Sequence, residues 1–465
     1  MKGAERRDAA LVIGTALGAR VAMVAWAASR IPPTGDGKFY DVIATRIAQG
    51  HGYTWLWPDG VVTYAAHYPV GYPALLGAAY AVFGAKPAAA MMVNALLGTA
   101  AAAAAWALAR RATSRAGALA AGLLVALHVG LVAYTPALMT EGATAALCVI
   151  AAWQACRARE AKARRRTAWL AAAGLTLGLC TLVRPQSLVL APLLGWFALE
   201  AEASWSRRLR TAAFVGAIAL AACAPWALRN EVRLGHAALS FNGGWNLLIG
   251  TNPAGHGSWS PVEVPQACKE VFHEAEKDIC FGREAVKAIA AHPLTWLSLV
   301  PAKLSVTFDY CGGAGWYLRE ANGAAFDDAW KLRLGVVETL YERMILIAAL
   351  VAGSLGPGPR RRPRMVVAAL SIAAALTHWG WLAYVGLGLV LALLGRALHR
   401  APLLIPSTLA MILSTAAIHA VFFGSGRYSM VVFPFVTALA CGLLTRGRQQ
   451  GHTLDPEGDL VDAPH

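Results

Sequence analysis

PAAAMMVNALLGTAAAAAAWALA (residues 87–109), followed at once by Arg110-Arg111-Ala-Thr-Ser-Arg115, decides the fold class. A helix needs about 20 mostly apolar residues to cross the hydrocarbon core of a bilayer, and this run supplies them without a charge. Arginines grouped at the end of such a run set the direction of the span. The same pairing recurs along the chain. The first run, 9–28, follows Lys2, Arg6 and Arg7; it is too long, and its far end too unlike a cleavage site, for a removable signal peptide, so it reads as a retained span. Further runs lie at 116–133, 137–155, 168–183, 187–199, 211–228, 336–355, 365–377, 381–394, 403–423 and 428–444. The stretch 365–394 is too long for one span and is divided at His378-Trp379-Gly380-Trp381.

Composition agrees: of 465 residues 57% are apolar and 14% charged, whereas roughly a quarter are charged in an ordinary soluble protein. The formal net charge of +15 could suggest nucleic acid. The basic residues, however, sit in small groups at the ends of apolar runs, at Arg157 to Arg166, Arg207/Arg208/Arg210, Arg360 to Arg364, Arg396/Arg400 and Arg446/Arg448, so no nucleic-acid partner is expected. With every group on the cytoplasmic side the runs alternate without contradiction. The expectation is an all-α fold, a polytopic transmembrane helical bundle of about 12 spans with both termini cytoplasmic. Residues 1–445 form one membrane domain and 446–465 a short, polar, disordered tail.

This topology leaves two long segments outside, 30–86 and 229–335, which hold most of the polar, Gly and aromatic chemistry. Two apolar stretches within them, 72–83 and 294–308, are too short to cross comfortably and read as interfacial helices. In the first segment, residues 35–50 form a short amphipathic helix behind a Gly35-Asp36-Gly37 turn, with Phe39, Val42, Ile43 and Ile47 on one face. Asp36 starts that helix at the membrane surface, where it is a helix cap, or else a carboxylate held as a general base or metal ligand. Gly50-His51-Gly52-Tyr53, Trp55, Trp57 and His67-Tyr68-Pro69-Val70-Gly71-Tyr72-Pro73 follow.

That order (Gly-Asp-x3-Tyr, Gly-His-Gly-Tyr, Tyr-Pro-x-Gly-Tyr-Pro, then Phe83-Gly84 and Asn94) resembles the first outer loop of bacterial membrane glycosyltransferases of the GT-C superfamily. The branch it looks most like includes protein O-mannosyltransferases and the lipid A aminoarabinose transferase. Later stretches resemble the same family: Thr140-Glu141-Gly142 at the start of a span, Val183-Arg184-Pro185 at an outer turn, and the Gly/Asn-rich segment from Asn242 through Asn246 and Asn252-Pro253 to Gly257. His292-Pro293 with Lys303, and Gly426-Arg427-Tyr428 with Pro434, complete the set. Each has a plainer reading. Glu141 could serve the helix dipole, Arg184 and Lys303 could snorkel to headgroups, Asn94 could bond a neighbouring helix, and His51, His67 and His256 lack the spacing of a metal triad.

The resemblance implies a polyprenyl-phosphate sugar donor with its tail among membrane lipids, and a site on the outer face of a bacterial-type cytoplasmic membrane. It implies Asp36 as the catalytic base, and Arg184, Lys303 and Arg427 as cations for the phosphate leaving group. Glu141, His67, Tyr68, Asn246 and Tyr428 would contact substrate, or Asp36 and Glu141 would share a divalent metal ion. Inversion at the anomeric carbon is expected. The acceptor, whether protein, glycan or lipid, is left open, because relatives carry a soluble domain after the spans and only about twenty residues follow here, and because the aminoarabinose branch's Lys-Pro-Pro is replaced by His67-Tyr-Pro-Val-Gly. A lipid-linked sugar flippase or other 12-span transporter is the competing reading. Cys148, Cys156, Cys180, Cys223 and Cys441 read as apolar packers. Cys268 and Cys280 can bridge only if the chain bends between them, since twelve residues of straight helix would part them by roughly 18 Å.

Overall fold

The computed structural model describes residues 3–309 and 312–442. Lys2, Cys311, Arg446, Arg448 and the 446–465 tail lie outside the described residues. Six helices among the described residues are long and apolar enough to cross a membrane: Gly3–Ala27, Pro87–Ala109, Arg115–Ala133, Ala163–Val183, Trp205–Leu234 and Leu404–Val421. The remaining expected runs are helical as well, but Thr140–Glu160 and Asp328–Leu355 carry more charge, and Arg361–Ala375, Trp381–Ala392, Leu190–Phe197 and Phe433–Ala440 are shorter. Length and composition therefore support six spans among the described residues, and the expected count of about 12 is not confirmed. The break in the 365–394 stretch falls between Ala375 and Trp381, where it was expected.

The chain is a multi-pass membrane protein, and the surfaces of its helices show why. Leu220, Leu228, Leu340, Met344 and Leu370 stand exposed on the bundle's perimeter. A surface so apolar is stable only against lipid, where helices satisfy their own backbone. Inside, small residues dominate: Ala95, Ala102, Ala105, Ala146, Ala152 and Ala191 are fully buried, which lets helices approach closely where no hydrophobic effect drives them together. The five cysteines expected as packers are all buried and free.

Arginines of the clusters at 110–115, 157–166 and 207–210 gather at one end of the bundle. Arg110 pairs with Glu5, Arg115 with Asp8 at 2.7 Å, Arg111 with Glu160 at 3.0 Å and Arg207 with Glu200 at 2.5 Å. Arg159 donates to the carbonyls of His399 and Ala401. The helices leaving this end deliver the two long loops and the Arg184 and Arg427 turns to the other.

The first loop departs from an all-helical fold. After the helix Asp36–Ala48 it makes a hairpin, Thr54–Leu56 with Val62–Tyr64, and then enters the helix Gly71–Phe83. Pro58-Asp59-Gly60 turns the hairpin, with the Asp59 carboxylate accepting from Val61 N at 3.1 Å. The helix Asp36–Ala48 buries Tyr40 and Ala44 with Ile43 and Gly37 instead of Val42. It is packed on two sides, Tyr40 and Ala44 meeting the main core and Ile43 a small cluster with Tyr53 and Ala65.

The second loop holds Gly243–Ile249, Glu274–Ala291, and a helix broken at Leu299 into Pro293–Ser298 and Val300–Phe308, Pro301 being unable to donate across the break. Cys268 and Cys280 form a disulfide, Cα atoms 5.8 Å apart, because the chain turns between a short 3-10 segment and the helix at Glu274. The two loops are tied together. Arg229 donates to the carbonyls of Ala65 (2.9 Å) and Tyr53 (2.7 Å), Ala66 N donates to Glu274 Oε1 (2.6 Å), and Phe241 N donates to the Ala66 carbonyl (2.9 Å).

Candidate active site

Asp36 is the first residue of its helix, yet its carboxylate does not cap it: the N-cap is Gly35, with no side-chain cap bond. Oδ1 instead accepts from the Tyr68 hydroxyl at 2.9 Å and Oδ2 from Arg427 at 3.0 Å. The Gly-Asp-Gly sequence has a steric reason. A Cβ on Gly37 would stand 2.7 Å from the Tyr317 hydroxyl and 3.0 Å from the Leu138 carbonyl, so only glycine lets this helix reach the 137–139 segment. The Tyr317 hydroxyl accepts from Thr34 N and from Leu138 N, both at 3.3 Å, and so pins that approach. In the Tyr-Pro-x-Gly-Tyr-Pro turn, Gly71 does the same against the end of Ala163–Val183, where a Cβ would meet the Leu182 carbonyl group. That contact sets Tyr68 beside Arg184's helix end.

Glu141 opens the helix Thr140–Glu160 and is 1% exposed. It accepts from Arg184 at 2.8 Å through Oε1 and from the Tyr134 hydroxyl at 3.1 Å through Oε2, and Arg427 Nε lies 3.4 Å from Oε1. Arg184 ends the helix Ala163–Val183 just before Pro185, which the helix cannot absorb. It does not snorkel; its guanidinium is held by Glu141 and lies over the Tyr428 ring, as does that of Arg427, at 5.0 and 5.3 Å. Arg427 thus stands between two carboxylates, and Tyr428 is a shared platform for two cations.

These groups line a cavity of about 510 Å³ at the loop end of the bundle, together with His67, Tyr68 and Asn246. Burial pushes the Asp36 carboxyl up, but Arg427, the Tyr68 hydrogen bond and His67 together hold it below the usual carboxylate value. Burial lowers His67, against the opposing pull of Asp278 and Asp36, so it is neutral at neutral pH. Tyr68 is pushed well above its ordinary value by burial and by Asp36, and stays a hydrogen-bond donor.

Lys303 is placed elsewhere. Its ammonium donates to the carbonyls of Val421 (3.1 Å) and Ala420 (3.3 Å) at the end of Leu404–Val421 and lies 5.0 Å from the Trp296 ring. A cation on the last carbonyls of a helix is favoured, and here it fixes the start of the 422–427 turn that carries Arg427. Gly424 N donates to the Gly257 carbonyl at 2.7 Å, so the Gly-rich segment ending at Gly257 braces the same turn. Asn94 binds neighbours: it accepts from Tyr72 and donates to the Thr135 and Ala137 carbonyls.

The two carboxylates read as candidates for a divalent ion are here paired with arginine. Arg427 bridges them, and among the described residues no group of three or more His, Cys, Asp or Glu is arranged to hold a metal. Among the residues lining the cavity, sequence reasoning did not single out Gln186, His419 or Phe423, nor Tyr134 behind Glu141. His419 had a signal, since an ionisable residue inside an apolar run is a functional candidate by default. It stacks on Tyr428 at 4.1 Å and fixes its ring.

Residues 67–228 match the family described as dolichyl-phosphate-mannose-protein mannosyltransferase. The match takes in the Tyr-Pro turn, Glu141 and Arg184; Asp36 lies before it and Arg427 after it. No curated protein is matched. Among solved structures the chain is similar to the oligosaccharyltransferase AglB from Archaeoglobus fulgidus, in complex with an inhibitory peptide and a dolichol-phosphate (16% identity, 94% of this chain and 50% of that one, TM-score 0.47). It is also similar to ArnT from Cupriavidus metallidurans bound to undecaprenyl phosphate (16% identity, 94% and 77%, TM-score 0.43). The chain spans about half the length of the archaeal enzyme. Over residues 67–228 the family match bears out the resemblance read from the motifs, that of the mannosyltransferase type.

Proposed function

We propose that this chain is a glycosyltransferase moving a sugar from a polyprenyl-phosphate donor to an acceptor hydroxyl, with Asp36 as base and Arg427 and Arg184 as the phosphate-binding cations. The observation that carries the reading is Arg427 held between Asp36 and Glu141 at a loop-end cavity, next to a stretch that matches a mannosyltransferase family.

In the step proposed, the acceptor oxygen bonds to the anomeric carbon as the bond from that carbon to the phosphate oxygen breaks. The hydroxyl proton passes to Asp36, and the electron pair of the broken bond leaves on the phosphate. Direct attack from the face opposite the phosphate inverts the anomeric centre. A guanidinium that pairs with carboxylates in the resting protein can move to the phosphate, which presents the same two-oxygen edge. Charge then grows where cations already stand. When Arg427 leaves Asp36, the carboxylate loses its strongest acidifying neighbour and becomes a better base at the moment a base is needed. Glu141 keeps Arg184 placed, and Lys303 acts on the site through the Arg427 turn.

The site end is proposed to face outward, with 30–86 and 229–335 as outer loops and residues 1–445 as one domain. The arginine clusters at the opposite end support this. So does the Cys268–Cys280 disulfide at the site end, since disulfides persist in oxidising compartments.

The test is transfer of label from a panel of polyprenyl-phosphate sugars by purified protein in lipid, comparing wild type with Asp36→Asn. Donor-dependent transfer that disappears in a folded, donor-binding Asp36→Asn supports the base. Movement of a lipid-linked sugar across the bilayer without transfer, unaffected by Asp36→Asn, would replace the enzyme with a flippase.

A further inference from the structure

A second cavity, of about 430 Å³, opens where the hairpin of the first loop meets the second loop. Trp55, Trp57 and Tyr64 from the hairpin and Phe272 from the second loop line it, with Arg233 and Glu274 among them. Trp57, Tyr64 and Phe272 are 49%, 43% and 82% exposed. Trp55 is packed against Phe39, but the exposed rings of Trp57, Tyr64 and Phe272 round a hollow mark a surface that something covers. The hairpin holds them rigidly: Trp57 Nε1 donates to Thr63 Oγ1 at 3.0 Å, and Trp55 stacks on Phe39 at 5.0 Å and 10°.

The cavity adjoins the first one. His67 lines both. Phe39, three residues after Asp36 on the same helix, packs against His67 at 5.9 Å on the wall of the second. Whatever occupies the second cavity is a neighbour of the proposed base.

We infer that this cavity holds a pyranose ring of the acceptor, an assignment that rests on the transferase reading above. A pyranose presents a face of C–H bonds with partial positive charge and an edge of hydroxyls. The negative face of an aromatic ring takes the first, and charged side chains among the aromatics take the second. The lining offers both. Arg233 is fixed over the Tyr64 ring at 4.6 Å, and Glu274, anchored by Ala66 N through one oxygen, brings a carboxyl to the wall. The apolar groove of Met23, Trp26, Leu318, Phe326 and Leu334 at the side of the bundle shows the contrast: apart from Arg333 it is lined by apolar and aromatic side chains, as suits a lipid. A saccharide seated on the hairpin aromatics would extend one hydroxyl past His67 to Asp36.

The experiment is saturation-transfer NMR of the full chain in lipid nanodiscs with methyl α-mannoside, α-glucoside and α-galactoside, for wild type, Trp57→Ala, Trp57→Phe and Phe272→Ala. Both positions are exposed, and an unchanged thermal transition will show that the variants fold. At least one pyranoside is expected to bind, to weaken by about fivefold to tenfold in Trp57→Ala and Phe272→Ala, and to be rescued by Trp57→Phe, as the loss of a ring contact requires. No pyranoside binding, or binding indifferent to both alanine variants, would overturn the inference. So would a Ser/Thr-rich peptide that binds and is lost in those variants while the pyranosides stay silent. A wild type inert with every donor that still binds a pyranoside through Trp57 and Phe272 would sink the transferase reading and leave the saccharide site supported.

Discussion

Asp36→Asn should slow transfer by orders of magnitude and, at the same time, tighten binding of the leaving group. In the resting protein Arg427 gives Asp36 Oδ2 a bond of 3.0 Å between charged partners. To hold a phosphate it must give that bond up. A hydrogen bond to a charged group contributes about 1.5–3 kcal/mol and one between neutral groups about 0.5–1.5. Replacing the carboxylate by an amide of the same shape therefore lowers the cost of releasing Arg427 by about 1–1.5 kcal/mol, a tightening of about fivefold to tenfold. Removing a negative charge near the phosphate acts in the same direction. The chemical step loses its base and should slow by about 10²–10⁴. Titration of undecaprenyl phosphate into nanodisc-embedded protein measures the first effect, and single-turnover transfer measures the second. A dissociation constant in Asp36→Asn that is unchanged or weaker would refute the exchange of Arg427 from carboxylate to phosphate, whatever happens to the rate.

Three further outcomes follow from the geometry. Tyr68→Phe removes a hydrogen bond that stabilises ionised Asp36, so the acid limb of the transfer rate should move to higher pH by about one unit, as 1–1.5 kcal/mol requires; a limb that stays put would mean the bond is not made in solution. Burial raises Glu274 to about 7. The folded state then holds a proton that the unfolded state has lost between about pH 4.5 and 7, stability should fall as pH rises through that window, and Glu274→Gln should flatten the dependence in thermal unfolding. Cys268→Ser with Cys280→Ser opens a link between residues 12 apart, which should cost the second loop about 2–3 kcal/mol. Hydrogen exchange should then speed up at 243–250, because Gly244 and Trp245 donate their backbone N–H to Asp278 on the tethered helix.

How much of this was legible in the sequence follows from the range of the forces involved. The helices were, since an apolar run of about 20 residues states its own burial. The hairpin at Thr54–Tyr64 was not, although Pro58-Asp59-Gly60 announces a turn. Its strands are three residues each, too short to show alternation, and the aromatic residues read equally well as interfacial anchors. Lys303 was grouped with the phosphate cations because motif order records that a lysine is present and not where its ammonium ends; two carbonyls of a helix 117 and 118 positions away take it. The disulfide needed the bend after Cys268, which no periodicity announces.

Pairing is the part that sequence order cannot carry. Asp36, Glu141, Arg184 and Arg427 were all marked, yet nothing along the chain says that Arg427 meets Asp36 across 391 positions or that Glu141 stands against both arginines. The arrangement matters more than the residue list. Two carboxylates and two guanidiniums of matched charge make a neutral resting cluster, in which no side chain bears an unpaired buried charge. In the proposed reaction an incoming phosphate changes the sum and draws Arg427 from Asp36, which is left without a guanidinium. Glu141 cannot take the part: it is 1% exposed, bonded by Tyr134 and Arg184, and keeps its cation when Arg427 departs. The asymmetry between the two acids, one with a single guanidinium and one with two, supports the proposal of Asp36 as base and Glu141 as anchor.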